Sequence, residues 1–349
     1  MLDLSPPAQF LISALIQGAI KALHLKQLEQ HVPPSLSSED QTKLKKYTHA
    51  LKLDSLFELG ATANLPAQKR EKALLGSMVH QQIAETLQRE FSNRSIRFVF
   101  IKGIASDARY WYQSGLRSYA DLDIWVHPDD FSHCEQTLIN LGYSQKAVAP
   151  PAARPINITA KSFKKEDRLG DAVIDLHRMP FDGFRAPTSW DNVWARIEKI
   201  KTPVGERMVL SPEDEIIFLA GNQLQALFAQ WPKACLDLFV ITQKEIINWQ
   251  LLASKAKEAR VSSALWALFS ALISLHTPLP DWFMNEIKPK QRIQKQLGQF
   301  FNSPPKKYSQ IKRYGYRIYW ILSLSEDISS LRRYFLHWLP QRTLDKICS

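Results

Sequence analysis

The amino-acid sequence predicts an α+β fold, in which a small mixed β-sheet core lies between N-terminal and C-terminal helical domains. Apolar residues at three- and four-residue spacing favour helices up to residue 93 and again from residue 206 onwards. Short β-branched and aromatic runs between them, at 96–101 and 119–126, are typical of strands. The chain therefore divides into a helical region 1–93, an α/β core 94–205, a helical domain 206–300 and a basic aromatic helical tail 301–349.

Capping signals place the helices outside the core. Ser37 or Ser38 can cap a helix start, and a long helical pattern follows over residues 69–91. Ser211 precedes Pro212 and a run of acidic residues, which is typical of a helix N-terminus. Inside the core, we expect in order a strand at 96–101, a helix at 103–113, a strand at 119–126, a helix at 128–142, and strands at 143–149, 156–164 and 172–177.

Composition narrows the functional classes. The 349 residues are 45% hydrophobic and 23% charged, as in ordinary globular proteins. The three cysteines, Cys134, Cys235 and Cys348, lack metal-ligand spacing and are expected to be free thiols. The N-terminus lacks the basic segment of a secretory signal, and apolar runs such as 10–20 are too short to span a bilayer. We therefore expect a cytoplasmic protein without a transmembrane segment.

The positive charge is concentrated near the C-terminus. The net charge is +11, and residues 286–349 contain 13 lysines and arginines against four acidic residues, together with several tyrosines and tryptophans. Basic residues interleaved with aromatic ones are typical of surfaces that bind RNA or anionic membranes. A helix with a solvated basic face and an aromatic core gives the same pattern. The tail is thus a candidate contact surface for RNA or an anionic membrane.

Two aspartates in an apolar run form the most informative motif. Asp121 and Asp123 stand two residues apart in the strand predicted at 119–126, so their side chains share a face. Asp175 lies in another predicted strand, 172–177. Carboxylates directed at one point repel each other unless a cation neutralises them, and magnesium binds carboxylates together with substrate phosphates. The pattern therefore predicts a magnesium site, unless the aspartates flank a solvated edge strand.

Several short motifs follow one another through the core. They are Phe-Ile-Lys-Gly at 100–103, Tyr110, Gly-Leu-Arg-Ser-Tyr-Ala-Asp-Leu-Asp-Ile-Trp-Val at 115–126, Leu-Gly-Tyr at 141–143 and Ile-Asp-Leu-His at 174–177. In this combination the chain resembles the uncharacterised bacterial nucleotidyltransferase family of the polymerase-β-like superfamily, over about residues 70–285. The resemblance implies a palm-like mixed sheet with a helix packed against it, a nucleoside triphosphate (NTP) as substrate and Mg²⁺ as cofactor.

The resemblance also implies a reaction and a set of metal ligands. A nucleoside monophosphate would pass from an NTP to an unidentified hydroxyl-type acceptor, with release of pyrophosphate. Asp121 and Asp123 would ligate one or two Mg²⁺ ions, and Asp175 would be the third carboxylate, as a base or a ligand of the second ion. Such ions orient the attacking oxygen and neutralise charge on the leaving pyrophosphate.

Four further residues are expected to bind the nucleotide. Lys102 and Gly103 stand where the superfamily usually has a Gly-Ser pair; the lysine supplies positive charge, and the glycine permits close backbone approach. Lys102 could instead be an ordinary lysine at a strand end. Arg117 can bind phosphate through two parallel hydrogen bonds, or it could form a salt bridge with the aspartates. His177 could bind substrate, orient Asp175 or be a hydrogen-bonded core histidine.

Two later positions leave their roles open. Asn222 stands where members of the family often have a histidine, and Asp237 matches a recurring family acid. Because all three carboxylates are present, an active enzyme is favoured. The alternative is a catalytically silent protein that binds a nucleotide or RNA on the same fold. The acceptor could be a sugar phosphate, a small metabolite, a protein hydroxyl or an RNA end.

Overall fold

The computed structural model describes residues 2, 4–25, 37–62, 65–111, 115–146, 160–166, 172–179, 191–226, 228–274 and 277–302. A seven-stranded mixed sheet lies at its centre, with helices before and after it in the chain, which confirms the α+β prediction. The proline-rich loop near residue 150 and nearly all of the predicted tail lie outside the described residues. So does Cys348, whereas Cys134 and Cys235 are buried free thiols, as predicted.

The helices before the sheet begin where local chemistry favours a helix start. Pro6 and Pro7 occupy the first positions of the first helix. Ser37 caps the second, because its hydroxyl accepts a hydrogen bond from the Asp40 N–H at 3.1 Å. These helices are α1 (Pro6–Leu23), α2 (Ser38–Ala50), α3 (Asp54–Thr62) and α4 (Ala67–Asn93).

The sheet mixes parallel and antiparallel neighbours. Its strands are β1 (Phe98–Ile101), β2 (Leu122–Val126), β3 (Ser144–Gln145), β4 (Ala160–Lys165), β5 (Ala172–His177), β6 (Glu198–Thr202) and β7 (Gly205–Val209). They lie side by side in the order β3-β4-β5-β2-β1-β7-β6, with β2 antiparallel to β1 and parallel to β5. Because β2 has a partner on each side, the aspartate motif does not belong to a solvated edge strand.

The hairpin of β6 and β7 is the part of the sheet that the sequence predictions miss. Its first strand contains three charged residues and a single apolar one, Ile200, so the run resembles a surface segment. The turn after Thr202, through Pro203 to Gly205, is the signal that could have indicated a hairpin. In the sheet, β7 pairs with β1, so the sheet extends beyond 172–177, the last strand that the sequence predicted.

Short helices connect the strands. The helix predicted at 103–113 is α5 (Lys102–Ser106), continued by a π-helical turn at Asp107–Trp111. The helix predicted at 128–142 is α6 (Phe131–Asn140), which follows a 3₁₀ turn at Pro128–Asp130. A further short helix, α7 (Asp191–Trp194), precedes the β6–β7 hairpin.

The helices after the sheet start at the predicted cap. The Ser211 hydroxyl accepts a hydrogen bond from the Asp214 N–H at 3.3 Å and begins the first of them. They are α8 (Pro212–Gln225), α9 (Trp231–Lys244), α10 (Trp249–Glu258), α11 (Ser262–Ile273), α12 (Asp281–Glu286) and α13 (Gln291–Asn302).

The two faces of the sheet have different characters. The apolar face carries Phe98, Phe100, Leu122, Ile124, Val126, Ile174 and Leu176, and it packs with buried residues of α4 and α6. The opposite face, here called the mixed face, carries Val99, Ile101, Asp123, Trp125, Asp175 and His177. Its apolar residues pack into the core formed by the helices. Its polar residues lie beside them on the paired strands, as Asp123 does beside Ile101.

The helices before and after the sheet share a hydrophobic core. α1 packs against both α3 and α9, and Leu15, Leu56 and Phe239 are fully buried in that core. The regions predicted as separate helical domains are therefore in contact, while their boundaries stay a prediction. Within the described part of the chain, none of the helices has both the length and the apolar character that a membrane crossing requires.

Candidate functional site

Strand pairing brings two of the predicted carboxylates side by side. In the parallel pair of β2 and β5, Asp123 lies opposite Asp175. Directly paired residues of neighbouring strands point to the same face of a sheet. Asp121 precedes Asp123 by two residues, just before β2 begins. The three aspartates therefore belong to one end of the mixed face.

Asp123 is buried and contacts two cationic or hydrogen-bonding side chains. Lys102 Nζ lies 2.6 Å and His177 Nε2 lies 2.7 Å from Asp123 Oδ1. Burial opposes ionisation of this carboxyl, but the lysine and the histidine outweigh burial and lower its pKa. Of the roles considered for His177, contact with an aspartate is the one that this geometry supports. That aspartate is Asp123, whereas the sequence suggested Asp175.

Asp175 has a different partner. Its Oδ1 accepts a hydrogen bond from the Ser162 hydroxyl on β4 at 2.5 Å. Within the described residues, no group of three His, Cys, Asp or Glu side chains is placed so that it could hold a metal ion. The expected cluster of three carboxylates is therefore not assembled in this arrangement. In place of a shared metal ion, Lys102 and His177 contact Asp123, and Ser162 contacts Asp175.

Asp121 differs from the other two aspartates. It is half-buried, and within the described part of the chain its carboxylate forms no hydrogen bond or ion pair. Burial raises its pKa, and repulsion from Asp123 and then from Asp175 raises it further. The three carboxylates are thus close enough to repel one another, and such repulsion is what a divalent cation would relieve. Carboxylate oxygens are the kind of ligand that a divalent cation takes, although within the described residues the three side chains are not placed around one point that could hold it.

A cavity of about 320 Å³ opens beside Asp121 and Asp123. Its walls come from the start of β2, from α5, from the turn between α2 and α3, and from α8 and α9. Its volume is in the range of small-molecule sites. Asp175 does not line it. Its charged lining residues are Lys52, Lys102, Arg117, Asp121, Asp123, Lys233 and Asp237.

The backbone turns sharply where β1 leads into α5. Lys102 has a φ of 58°, in the left-handed region that residues with a side chain seldom adopt. Gly103 lies against Tyr119, and a Cβ added to this glycine would be 2.6 Å from the Tyr119 Cβ. Packing against Tyr119 therefore accounts for the glycine. Close approach of a phosphate to its backbone stays a prediction.

Arg117 and Asp237 form a buried ion pair. Arg117 Nε donates to Asp237 Oδ1 at 2.8 Å and Nη2 donates to Oδ2 at 2.5 Å. The two side chains are only 3% and 2% exposed. The guanidinium that the sequence assigned to a phosphate is thus directed at Asp237, which ties α9 to the loop before β2. Arg117 therefore forms a salt bridge, which was the alternative to phosphate binding, but its partner is Asp237 and not Asp121 or Asp123. A contact between Arg117 and a nucleotide stays a prediction.

No sequence motif pointed to two further lysines of the cavity. Lys52 lies in the turn between α2 and α3, and Lys233 lies in the first turn of α9. Burial, followed by repulsion from Arg117, lowers the pKa of Lys233 to about 7. The position of Lys233 could have indicated a functional residue, because the helix dipole disfavours a cation in the first turn of a helix.

The comparison with protein families agrees with the motifs. The model of a family described as an uncharacterised nucleotidyltransferase matches residues 16–273. The match begins within α1, so it includes the N-terminal helices, which the resemblance from about residue 70 left out. A crystal structure of an antigenic nucleotidyltransferase-like protein from Paracoccidioides brasiliensis shares 14% identity, covering 52% of this chain and 90% of that chain, with a TM-score of 0.34. No curated protein matches the chain.

Proposed function

Because the chain belongs to the uncharacterised nucleotidyltransferase family, we propose that it transfers a nucleoside monophosphate from an NTP to a hydroxyl group of an acceptor and releases pyrophosphate. The observation that carries the proposal is the cavity beside Asp121 and Asp123, where carboxylates and lysines line one space. An NTP with a bound divalent cation presents both kinds of charge that such a site would recognise.

We propose Mg²⁺ as the ion, with one or two ions held by Asp121 and Asp123. Carboxylate oxygens are ligands that Mg²⁺ prefers, and its charge would relieve the repulsion that raises the pKa of Asp121. Asp123 would have to exchange its contact with Lys102 for this ligation and would keep the one with His177. When bound, the ion supplies charge neutralisation at the phosphates.

The side chains around the cavity would orient the reactants. The acceptor oxygen forms a bond to the α-phosphorus, the bond from that phosphorus to the bridging oxygen of pyrophosphate breaks, and the acceptor proton leaves to a carboxylate or to water. Lys102 would contact the phosphates once it is released from Asp123, and His177 would hold the aspartate in place. Asp175 is kept as the proposed third carboxylate, whose hydrogen bond with Ser162 fixes its orientation.

Labelled nucleotides test this proposal. The full-length chain is incubated with Mg²⁺, a cell extract as the source of acceptor, and each of the four NTPs labelled at the α-phosphorus. We expect labelled product and pyrophosphate from the wild-type chain and from Asp281→Asn, which alters an exposed aspartate on α12. We expect neither from Asp121→Asn. The absence of product and pyrophosphate with all four nucleotides would contradict the proposal.

A nucleotide-binding protein without catalysis is the second candidate. The contacts of Asp123 with Lys102 and His177 favour it, because they satisfy the carboxylate without a metal ion. In that case an NTP binds tightly in the presence of Mg²⁺, and no pyrophosphate is released. The same incubation, combined with a binding measurement, therefore separates the two candidates.

The role of the basic tail is a separate proposal. Its concentration of lysine, arginine and aromatic residues suits binding to RNA or to an anionic membrane. We expect the full-length chain to bind RNA or anionic vesicles in a salt-dependent manner, and we expect deletion of 306–349 to abolish that binding. Binding that survives the deletion would contradict this role. The cytoplasmic location of the protein likewise stays a prediction.

A further inference from the structure

The cavity contains four basic side chains whose partners differ. Lys102 and Arg117 each contact an aspartate. Within the described part of the chain, the side chains of Lys52 and Lys233 form neither a hydrogen bond nor an ion pair. Two ammonium groups therefore line the cavity without a carboxylate in contact.

Lys233 is the more costly of these two cations. It is half-buried in the first turn of α9, where the helix dipole disfavours positive charge. Its pKa is lowered first by burial and then by repulsion from Arg117, which the more distant carboxylates Asp237 and Asp121 offset only in part. A buried charge without a partner is unfavourable for folding. A bound anion would remove that cost.

Lys52 lines the same cavity from a distant part of the chain. It is exposed, in the turn between α2 and α3, with a φ of 57°. It also contributes to the lowered pKa of Lys233, so the two ammonium groups are near enough to repel each other. Since α1 packs against both α3 and α9, the two lysines are presented by a common packed unit. An anion bound between them would contact one segment that precedes the sheet in the chain and one that follows it.

A third polar side chain without a partner in the described residues lines the same cavity. Gln223 on α8 lines the cavity and is only 5% exposed, and its Oε1 is buried without a hydrogen-bond partner in the described residues. An unpaired buried acceptor costs free energy that a donor on a ligand would recover. The cavity thus offers cations to an anionic group and an acceptor to a hydrogen-bond donor, and a nucleotide carries both kinds of group.

We propose that Lys52 and Lys233 bind the β- and γ-phosphates of the NTP, so that the triphosphate connects the turn between α2 and α3 with the first turn of α9. This inference rests on the proposed function, in which those two phosphates leave together as pyrophosphate. Ammonium groups make charge-assisted hydrogen bonds with phosphate oxygens, and the polyphosphate offsets the repulsion between the two lysines. A nucleoside monophosphate lacks the phosphates that these residues contact.

Inorganic tripolyphosphate is the probe that isolates these contacts, because it has the phosphates and no base. Its binding to the full-length chain is measured by calorimetry at fixed ionic strength. We expect Lys233→Met to weaken binding at least tenfold, a factor of the order of one hydrogen bond to a charged group. Lys52→Met should weaken it about threefold, because Lys52 is exposed. Lys46→Met, an exposed position on α2 with the same change of net charge, should leave binding unchanged.

Two results would overturn the inference. One is a wild-type chain that shows no saturable binding of tripolyphosphate, and the other is a set of lysine variants that bind it as well as Lys46→Met does. Thermal denaturation checks that each variant is folded. If Lys233→Met is not folded, two other variants test the inference. Lys233→Arg should then retain binding of tripolyphosphate, and Lys52→Met should weaken it.

A parallel titration with a nucleoside monophosphate should give the same affinity for the wild-type chain and for both lysine variants. The outcome is separable from that of the proposed function. Transfer of label with unaltered tripolyphosphate binding in the variants would remove this inference alone. Lysine-dependent binding without transfer would remove only the proposed catalysis.

Discussion

The apolar face and the mixed face of the sheet both contain buried residues, but burial stabilises the fold on the first face and costs free energy on the second. Ile124 and Asp123 are neighbours in β2 and point to opposite faces. Ile124 is fully buried among the apolar residues beside α4 and α6, whereas Asp123, only 3% exposed, contacts Lys102 and His177. Apolar burial stabilises the fold, but a buried carboxylate costs free energy unless partners compensate it. Burial alone therefore does not identify a core position.

This difference implies that substitutions on the two faces should have separable effects. A change on the apolar face should lower the free energy of unfolding and leave the chemistry of folded molecules intact. A change among the charges of the mixed face should alter activity, or should alter stability only through the loss of a paired partner.

The largest expected effect is on catalysis, at Asp123. Asp123→Asn keeps the shape of the side chain but removes the charge that would hold a metal ion. We expect nucleotidyl transfer to fall by on the order of a hundredfold or more, while the free energy of unfolding changes by about 1–2 kcal/mol, since Lys102 and His177 retain an acceptor. Transfer of the α-phosphorus label and urea denaturation measure the two quantities. Undiminished transfer would show that this face of β2 is not catalytic.

The next largest effect is expected at the ion pair of Arg117 and Asp237. Asp237→Ala leaves a buried guanidinium without its partner and should lower the free energy of unfolding by roughly 3–5 kcal/mol. Replacing both residues, as Arg117→Met with Asp237→Leu, should recover most of that loss, because no charge is then left buried. Urea denaturation of the single and double variants measures this. A double variant as unstable as Asp237→Ala would mean that the pair itself, and not the orphaned charge, determines stability.

On the apolar face the effect should appear in stability alone. Ile124→Ala removes buried methyl groups and leaves a cavity, which should cost about 2–5 kcal/mol. Ile139→Ala, at a position on α6 that is 51% exposed, is the matched control and should cost less than about 1 kcal/mol. Equal losses for the two variants would contradict the assignment of Ile124 to the core. Transfer per folded molecule should be unchanged in both.

The smallest expected effect concerns pH. Glu215, buried in the first turn of α8, has its pKa raised from an ordinary 4.5 to about 8, mainly by burial, with Arg109 partly opposing the rise. The folded protein therefore holds this proton more tightly than the unfolded chain does, and the stability it contributes is complete below about pH 4.5 and is lost as the pH rises through about 8.

Glu215→Gln should flatten that decline. The free energy of unfolding of the variant and of the wild-type chain, measured by urea denaturation from pH 5 to pH 9, tests this. The exposed Glu258→Gln on α10 is the control and should follow the wild-type curve. A Glu215→Gln curve parallel to that of the wild-type chain would show that this carboxyl does not control the pH dependence of the free energy of unfolding.

Local patterns in the sequence predicted a large part of the fold. The caps at Ser37 and Ser211 were correct because a side-chain hydroxyl and an N–H three residues later meet within one turn. The strands at β1, β2 and β5 were found because their residues are buried and β-branched or aromatic. The hairpin of β6 and β7 was missed because its charged residues do not form an apolar pattern. Its place beside β1 depends on pairing between residues that are far apart in the chain, Phe100 and Val209.

By itself, the sequence determined that a buried strand runs through Asp123 with Asp121 close to its start, since a run of apolar, β-branched and aromatic residues is a local signal. Only the tertiary structure decided which groups meet them. Arg117 reaches Asp237, 120 residues away, and does not reach the predicted aspartates. Lys52 and Lys233 line one cavity from the turn between α2 and α3 and from α9, and His177 contacts Asp123 because β5 pairs with β2. Such meetings depend on how helices and strands pack, and packing between distant segments leaves no periodic signal in the chain that could be read beforehand.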